Sequence, residues 1–311
     1  MILTRERPAL LLSAGAALIL GGVGVGMALA TGSGAILLDG LFNLCFFVTA
    51  LFTLRVAALL TRPDDERYPF GYLAFEPLIN TVKGLLILGV SIVALIDALT
   101  ALATGGRAVT FGPALVYAGF ATLACLGVTL ALRRARAASP LVAADIENWT
   151  VNALVSAGVF LGFLTAAGLV RAGQAEAARY VDPAMVAIVV LGSIAVPVRM
   201  AAAGLLALLN RAPSAPVVAG MEALARGVLG PLPVRRLWIR AVQPGRTAYV
   251  TVHVLLPEGT DLRLAEADRL RGAVIAALAE RHAPAVIDVV FTAVEAFAAP
   301  TTGYHGDPSH R

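Results

Sequence analysis

Long apolar segments separated by short polar connections occupy the first two thirds of the chain. A helix needs about 20 apolar residues to cross a bilayer. Six stretches reach that length, over residues 9–30, 35–60, 76–103, 111–132, 141–170 and 182–209. The pattern therefore predicts a six-helix membrane bundle over residues 1–211.

The pattern changes after residue 211. Residues 214–229 have the periodicity of an amphipathic helix, and residues 261–281 carry apolar side chains at helical spacing. Between them, residues 234–242 and 248–256 read as two strands joined by a Pro-Gly turn, and residues 286–294 read as a third strand. This αββαβ order predicts a small α+β domain of ferredoxin-like type over residues 212–298. Residues 299–311 are expected to form a disordered tail.

The arginines in the connections predict the orientation in the membrane. Cytoplasmic loops carry an excess of Lys and Arg. Eight arginines fall on one side of the predicted spans and three on the other: Arg5, Arg7, Arg62, Arg67, Arg133, Arg134, Arg136 and Arg211 against Arg107, Arg171 and Arg179. We therefore expect both termini to be cytoplasmic, with the protein in a bacterial inner membrane.

The composition indicates a membrane protein and argues against nucleic-acid binding and enzyme activity. The chain is 59% hydrophobic, and 14% of its residues are charged, about half the share usual in soluble domains. The net charge of +4 is spread over the loops, which argues against nucleic-acid binding. Cys45 and Cys125 lie inside apolar segments and form no CxxC motif. The sequence shows no nucleophile–base arrangement or phosphate-binding loop, so we expect no enzyme.

Two polar pairs lie inside predicted spans. Asp39 and Asn43 in the second span, and Asn148 and Asn152 in the fifth, are each spaced by four residues and so share a helix face. Polar residues inside a span usually face the bundle interior and often mark an ion path. Two such faces turned toward each other would form a cage of oxygen ligands for a cation. Asp145 shares the fifth-span face and is a candidate entrance residue.

Simpler interpretations of these residues remain open. Asp39 follows the glycine-containing segment 32–34 and could belong to a helix start. The three asparagines could instead form interhelical hydrogen bonds that stabilise the bundle.

Four segments resemble motifs of the cation diffusion facilitator family. They read AILLDGLFNLCFF, YPFGYLAFEPL, AADIENWTVNALVS and VRMAAAGLLALLNRAPS, in the family's order. The resemblance implies a homodimeric exporter of a divalent metal cation that works by proton antiport and binds no permanent cofactor. It also implies that the transport site comprises Asp39, Asn43, Asn148 and Asn152.

The candidate site departs from the family pattern. The family places two acids on the second span and a pair of His or Asp on the fifth, whereas only one of the four positions here is a carboxylate. Oxygen ligands favour manganese or another hard ion over zinc, although the sequence does not choose among Mn, Fe, Co, Zn, Cd and Mg. A second hypothesis is a transport-silent relative that acts as a binding or regulatory subunit.

Other positions also differ from the family. Tyr68 and Tyr72 stand where it has histidines, and Ala74 and Asn210 stand where it has a charge pair between the third and sixth helices. His253, in the second predicted strand, is interpreted as structural.

The single lysine of the chain, Lys83, lies inside the third span. It could reach the membrane surface, pair with a buried acid, or act as a tethered cation. Pairing with Glu76, two turns earlier on the same face, is the favoured interpretation.

Overall fold

The computed structural model describes residues 3–59, 62, 65–69, 71–135, 140–243, 247–282 and 285–298. The chain forms two compact units, residues 1–61 with 79–202 and residues 62–78 with 203–311. The predicted tail at 299–311 lies outside the described residues.

Within these described ranges, six helical segments are long and apolar enough to cross a membrane, as the hydrophobic pattern predicts. The helices are α1 (Leu3–Thr31), α2 (Gly34–Leu59), α3 (Phe75–Ala103), α4 (Phe111–Ala135), α5 (Pro140–Arg171), α6 (Ala175–Ala178), α7 (Val181–Ser193) and α8 (Ala195–Leu208). Large apolar side chains such as Val116 and Leu123 are exposed on these helices. Lipid tails are as apolar as leucine, so such surfaces are compatible with a bilayer.

The sixth span differs from a single continuous helix over 182–209, because it consists of α7 and α8 with an interruption at Ile194. Pro197 has no N–H to donate to the carbonyl of Ser193, which explains a break at this point. The hydroxyl of Ser193 turns back and donates to the carbonyl of Val189 at 2.7 Å.

The backbones of helices α1 and α2 come close together at two glycines, Gly24 and Gly40. A Cβ atom on Gly24 would lie 2.8 Å from the Cα of Gly40, and a Cβ on Gly40 would lie 2.7 Å from the backbone nitrogen of Val25. Neither position has room for a side chain. Small residues allow this close backbone approach between membrane helices.

The second unit contains the predicted αββαβ order with one addition. Its elements are α9 (Ala215–Leu229), β1 (Arg236–Val242), β2 (Ala248–Leu255), α10 (Leu264–His282), β3 (Ala285–Thr292) and α11 (Glu295–Ala298). The sheet order is β1-β2-β3, with β1 antiparallel and β3 parallel to β2. The third strand ends at Thr292, two residues before the predicted end, and α11 follows.

The two faces of the sheet bury different groups. Val250, Val252 and Val254 join the apolar core formed with α9 and α10. His253, on the opposite face, is opposite Trp238 in β1 and Val290 in β3.

Helix α11 packs near this second face of the sheet. Arg240 donates to the carbonyl of Ala298 at 3.2 Å, and Arg236 pairs with Glu295 at 3.1 Å. His253 is only 8% exposed. Burial, together with the charge of Arg240, holds the pKa of His253 below its usual range.

Asn210 terminates α8 and adopts a left-handed backbone conformation with φ of 55°. The N–H of Arg211 donates to the carbonyl of Leu206 at 3.0 Å, and the N–H of Asn210 donates to Ala207 at 3.1 Å. These two bonds form a Schellman motif. Asparagine tolerates this conformation better than most residues, which gives Asn210 a local role as a helix cap.

Candidate cation site

Asp39 and Asn43 are joined within α2. The side-chain amide of Asn43 donates to the backbone carbonyl of Asp39 at 2.9 Å and approaches Asp39 Oδ1 at 3.5 Å. Asn43 is almost completely buried, whereas Asp39 is half-buried. The spacing of four residues therefore places the pair on one face, as the sequence predicts.

The polar face of α5 meets that of α2. The side-chain amide of Asn152 donates to Asn43 Oδ1 at 3.2 Å. A hydrogen-bonded series thus runs from Asn152 through Asn43 to Asp39. Asn148 lies one turn earlier on α5 and is exposed.

Two cavities open beside this series. The first, of about 250 Å³, is lined by Asn43 and Asp145 among others. The second, of about 500 Å³, is lined by Asp39 and many apolar side chains. Asn148, Asn152 and Lys83 line both cavities. All four predicted site residues therefore line a cavity, and Asp145 lines the first one.

Lys83 is influenced by groups on two other helices, and its pairing with Glu76 stays a prediction. Its ammonium lies 5.2 Å from the centre of the Phe46 ring, a cation–π contact. The carboxylate whose charge acts on it is Asp145. Phe46 and Asp145 lie on α2 and α5, so the groups that act on Lys83 come from helices other than its own.

Asp145 is held on the wall of the first cavity by neighbours from α1 and α5. Its carboxylate accepts a hydrogen bond from the hydroxyl of Ser13. The indole N–H of Trp149 donates to Ser13 at 2.9 Å. Asp145 is thus a fixed acid beside the candidate site.

Tyr117, on α4, is a site residue that the sequence analysis missed. Its hydroxyl donates to Asp39 Oδ2 at 2.8 Å. The available signal was a tyrosine in the middle of an apolar span, where its hydroxyl needs a partner.

The transmembrane part of the chain matches a known protein family. The profile of the cation efflux transmembrane domain matches residues 10–209, which is more than half of the chain. The chain belongs to the cation efflux family. Members of this family transport metal cations and are integral membrane proteins. None of the curated proteins matches the chain at a significant level.

The candidate metal ligands of this cation efflux protein are amide and carboxylate oxygens. Within the described ranges, no three His, Cys, Asp or Glu side chains are grouped so that they could hold a metal. A cation in the second cavity would therefore depend on the oxygens of Asn148 and Asn152 as well as on Asp39. Such ligands suit hard cations.

A second missed residue of the cation efflux protein is Asp182, at the beginning of α7. Its side chain is 0% exposed. It accepts hydrogen bonds from the backbone N–H groups of Gly34 and Ala35 at 3.0 and 3.2 Å. Arg107 lies 3.5 Å from the same carboxylate and also pairs with Asp97. In the sequence, this position marks only the beginning of the predicted sixth span.

Tyr68 and Tyr72, which replace family histidines, form an aromatic cluster with Phe75 in the connection before α3. The ring centres are 4.7 to 5.8 Å apart. The Tyr72 hydroxyl donates to Asp65 at 2.6 Å. This bond, followed by one from the backbone N–H of Tyr68, holds the pKa of Asp65 below its usual range.

Proposed function

We propose that this protein exports a divalent metal cation across a bacterial inner membrane in exchange for protons. It works by alternating access as a homodimer, with both termini in the cytoplasm. The main support is the hydrogen-bonded series of Asp39, Asn43 and Asn152 beside two cavities in the bundle. A polar series of this kind inside apolar spans is expected on an ion path.

The substrate is a hard cation such as manganese. One carboxylate and three asparagines supply oxygen ligands, whereas zinc sites favour nitrogen and sulfur. We therefore expect weaker zinc binding than in a relative with histidines at the site. Tight zinc binding that is abolished by Asp39→Ala would contradict this preference.

Asp39 is the principal proton carrier. Asparagine does not titrate, so the other three site residues cannot exchange protons. Metal binding should consequently release about one proton per protomer. Calorimetry in buffers of different ionisation enthalpy measures this number, and release of two or more protons would point to other titrating groups.

A flux assay in liposomes tests the function. The purified protein should move at least one of Mn, Fe, Co, Zn, Cd and Mg, and Asp39→Asn should abolish this flux while the protein remains folded and dimeric. Glu147→Gln is the matched control, because Glu147 is an exposed acid near the same end of α5 as Asp145. Absence of flux for all six ions would contradict the proposal.

A binding or regulatory subunit is the second candidate function. It is favoured by the loss of titratable groups, since three of the four site positions are asparagine. Such a subunit would show no flux either before or after Asp39→Asn, and its phenotype would depend on another protein. The same assay therefore separates the two functions.

A further inference from the structure

The two oxygens of the Asp39 carboxylate have different surroundings. Oδ2 accepts the hydroxyl of Tyr117 at 2.8 Å, whereas Oδ1 lies 3.5 Å from the side-chain amide of Asn43. Asn43 in turn is bonded to Asn152. Oδ1 therefore faces the amide side chain of Asn43, whereas Oδ2 is bonded to Tyr117 on α4.

The Tyr117 hydroxyl is held in place by burial and by contacts with α1. Tyr117 is 4% exposed, and its hydroxyl also lies 3.4 Å from the carbonyl of Leu20 on α1. A Cβ atom on Gly24 would lie 2.6 Å from this hydroxyl. Glycine is less favourable than alanine in a helix interior. The space left by Gly24 lets Tyr117 reach Asp39.

We propose that Tyr117 is a specificity-determining positioning residue of the cation site. It holds Asp39 Oδ2 at 2.8 Å, whereas the bond from the Asn43 amide to Oδ1 is long, at 3.5 Å, so Oδ1 is the oxygen that Asp39 gives up more easily to a cation. This inference rests on the proposed function, in which Asp39 is the carboxylate that binds the cation.

A single carboxylate oxygen discriminates between hard ions by size. Calcium takes six to eight oxygens and commonly binds carboxylates through both of their oxygens. Smaller hard ions such as manganese form six-coordinate oxygen sites. By occupying one of the two lone pairs of Oδ2, Tyr117 makes the two-oxygen mode less favourable and so disfavours calcium relative to manganese.

Binding of Mn²⁺ and Ca²⁺ to the full chain in detergent, measured by calorimetry at one pH, tests the proposal. Tyr117→Phe removes only the hydroxyl. The affinity for calcium relative to that for manganese, given by the ratio of the two dissociation constants, should rise by roughly tenfold. Tyr180→Phe is the matched control, because Tyr180 is an exposed tyrosine outside the site. A purely structural role would weaken both ions equally, and an unchanged ratio would overturn the proposal.

A pair of glycine variants gives a second test. Gly24→Ala places a methyl group against the Tyr117 hydroxyl and against the Cα of Gly40. In protein that remains folded, it should shift the ratio in the same direction. Gly26→Ala, on the same helix, places its Cβ in open space and should leave the ratio unchanged. Equal ratios in these two variants would overturn the role of Tyr117. If the wild type binds neither ion, the proposed function itself fails, whereas normal binding with unchanged ratios refutes only this inference.

Discussion

The hydroxyl of Ser33 donates a hydrogen bond of 2.5 Å to the carboxylate of Asp182. Ser33 immediately precedes α2, and Asp182 lies in the first turn of α7. The same carboxylate accepts the first N–H groups of α2, from Gly34 and Ala35. A buried anion at a helix N-terminus satisfies N–H groups that have no partner within the helix. Asp182 therefore fixes the beginning of the second span against the sixth.

Replacement of this buried anion should destabilise the bundle. Asp182→Asn removes the charge opposite Arg107 and turns an acceptor into a donor that faces other donors. We expect a loss of about 3 kcal/mol, typical of breaking a buried ion pair. Thermal unfolding of the full chain in detergent measures it. Asp97→Asn is the control, because Asp97 pairs with the same arginine but is 57% exposed. It should cost no more than about 1 kcal/mol, and equal losses would contradict the role of Asp182.

Removal of the positive charge of Lys83 should strengthen cation binding. Lys83 lines both cavities together with Asn148 and Asn152, and its ammonium repels a second cation. We expect Lys83→Met to bind Mn²⁺ about tenfold more tightly, while Lys83→Arg should stay near the wild type. Calorimetry at constant pH gives both values. Arg199→Met, an exposed cation on α8, serves as the control. Weaker binding by Lys83→Met would show that the lysine supports the site.

Restoration of a second acid should change the number of protons released. Asn43→Asp keeps the acceptor that Asn152 uses and adds a titratable group beside Asp39. Proton release on metal binding should rise from about one to about two per ion, and zinc binding should improve. Calorimetry in several buffers measures the count. Asn80→Asp, which adds an acid to the wall of the first cavity on α3, should leave the count near one.

The three-stranded sheet should lose stability in mild acid. The pKa of His253 is lowered, so its neutral form is favoured in the folded state and the unfolded state binds the proton more readily. The contribution of His253 to stability is therefore complete above the unfolded pKa of about 6.5. It is lost as the pH falls from there through the folded pKa. Denaturant unfolding at several pH values, followed by tryptophan fluorescence, measures this loss.

Two histidine variants define that test. His253→Phe should flatten the dependence of stability on pH between about 5 and 7, because the group that titrates is removed. His282→Gln, at the end of α10, should retain the wild-type slope. A slope that survives in His253→Phe would assign the effect to another group.

Much of the fold follows from the sequence alone. Bilayer thickness fixes how many apolar residues a helix needs, so six spans are predicted from segment length. Alternation at every second residue likewise predicts the strands of the second unit. The spacing of four residues is enough to place Asp39 with Asn43 and Asn148 with Asn152, because it is a local property of a helix.

The helix contacts between distant segments required the tertiary structure. Tyr117 reaches Asp39 only because Gly24, on a third helix, leaves room for its hydroxyl. Asp182 contacts Ser33 although the two residues are 149 positions apart in the sequence. Lys83 shows the same limit, since helical spacing points only to residues on α3, whereas Phe46 on α2 and Asp145 on α5 also act on it. Side-chain periodicity fixes which residues share a face. Packing decides the rotation and offset of each helix, and these determine which faces meet.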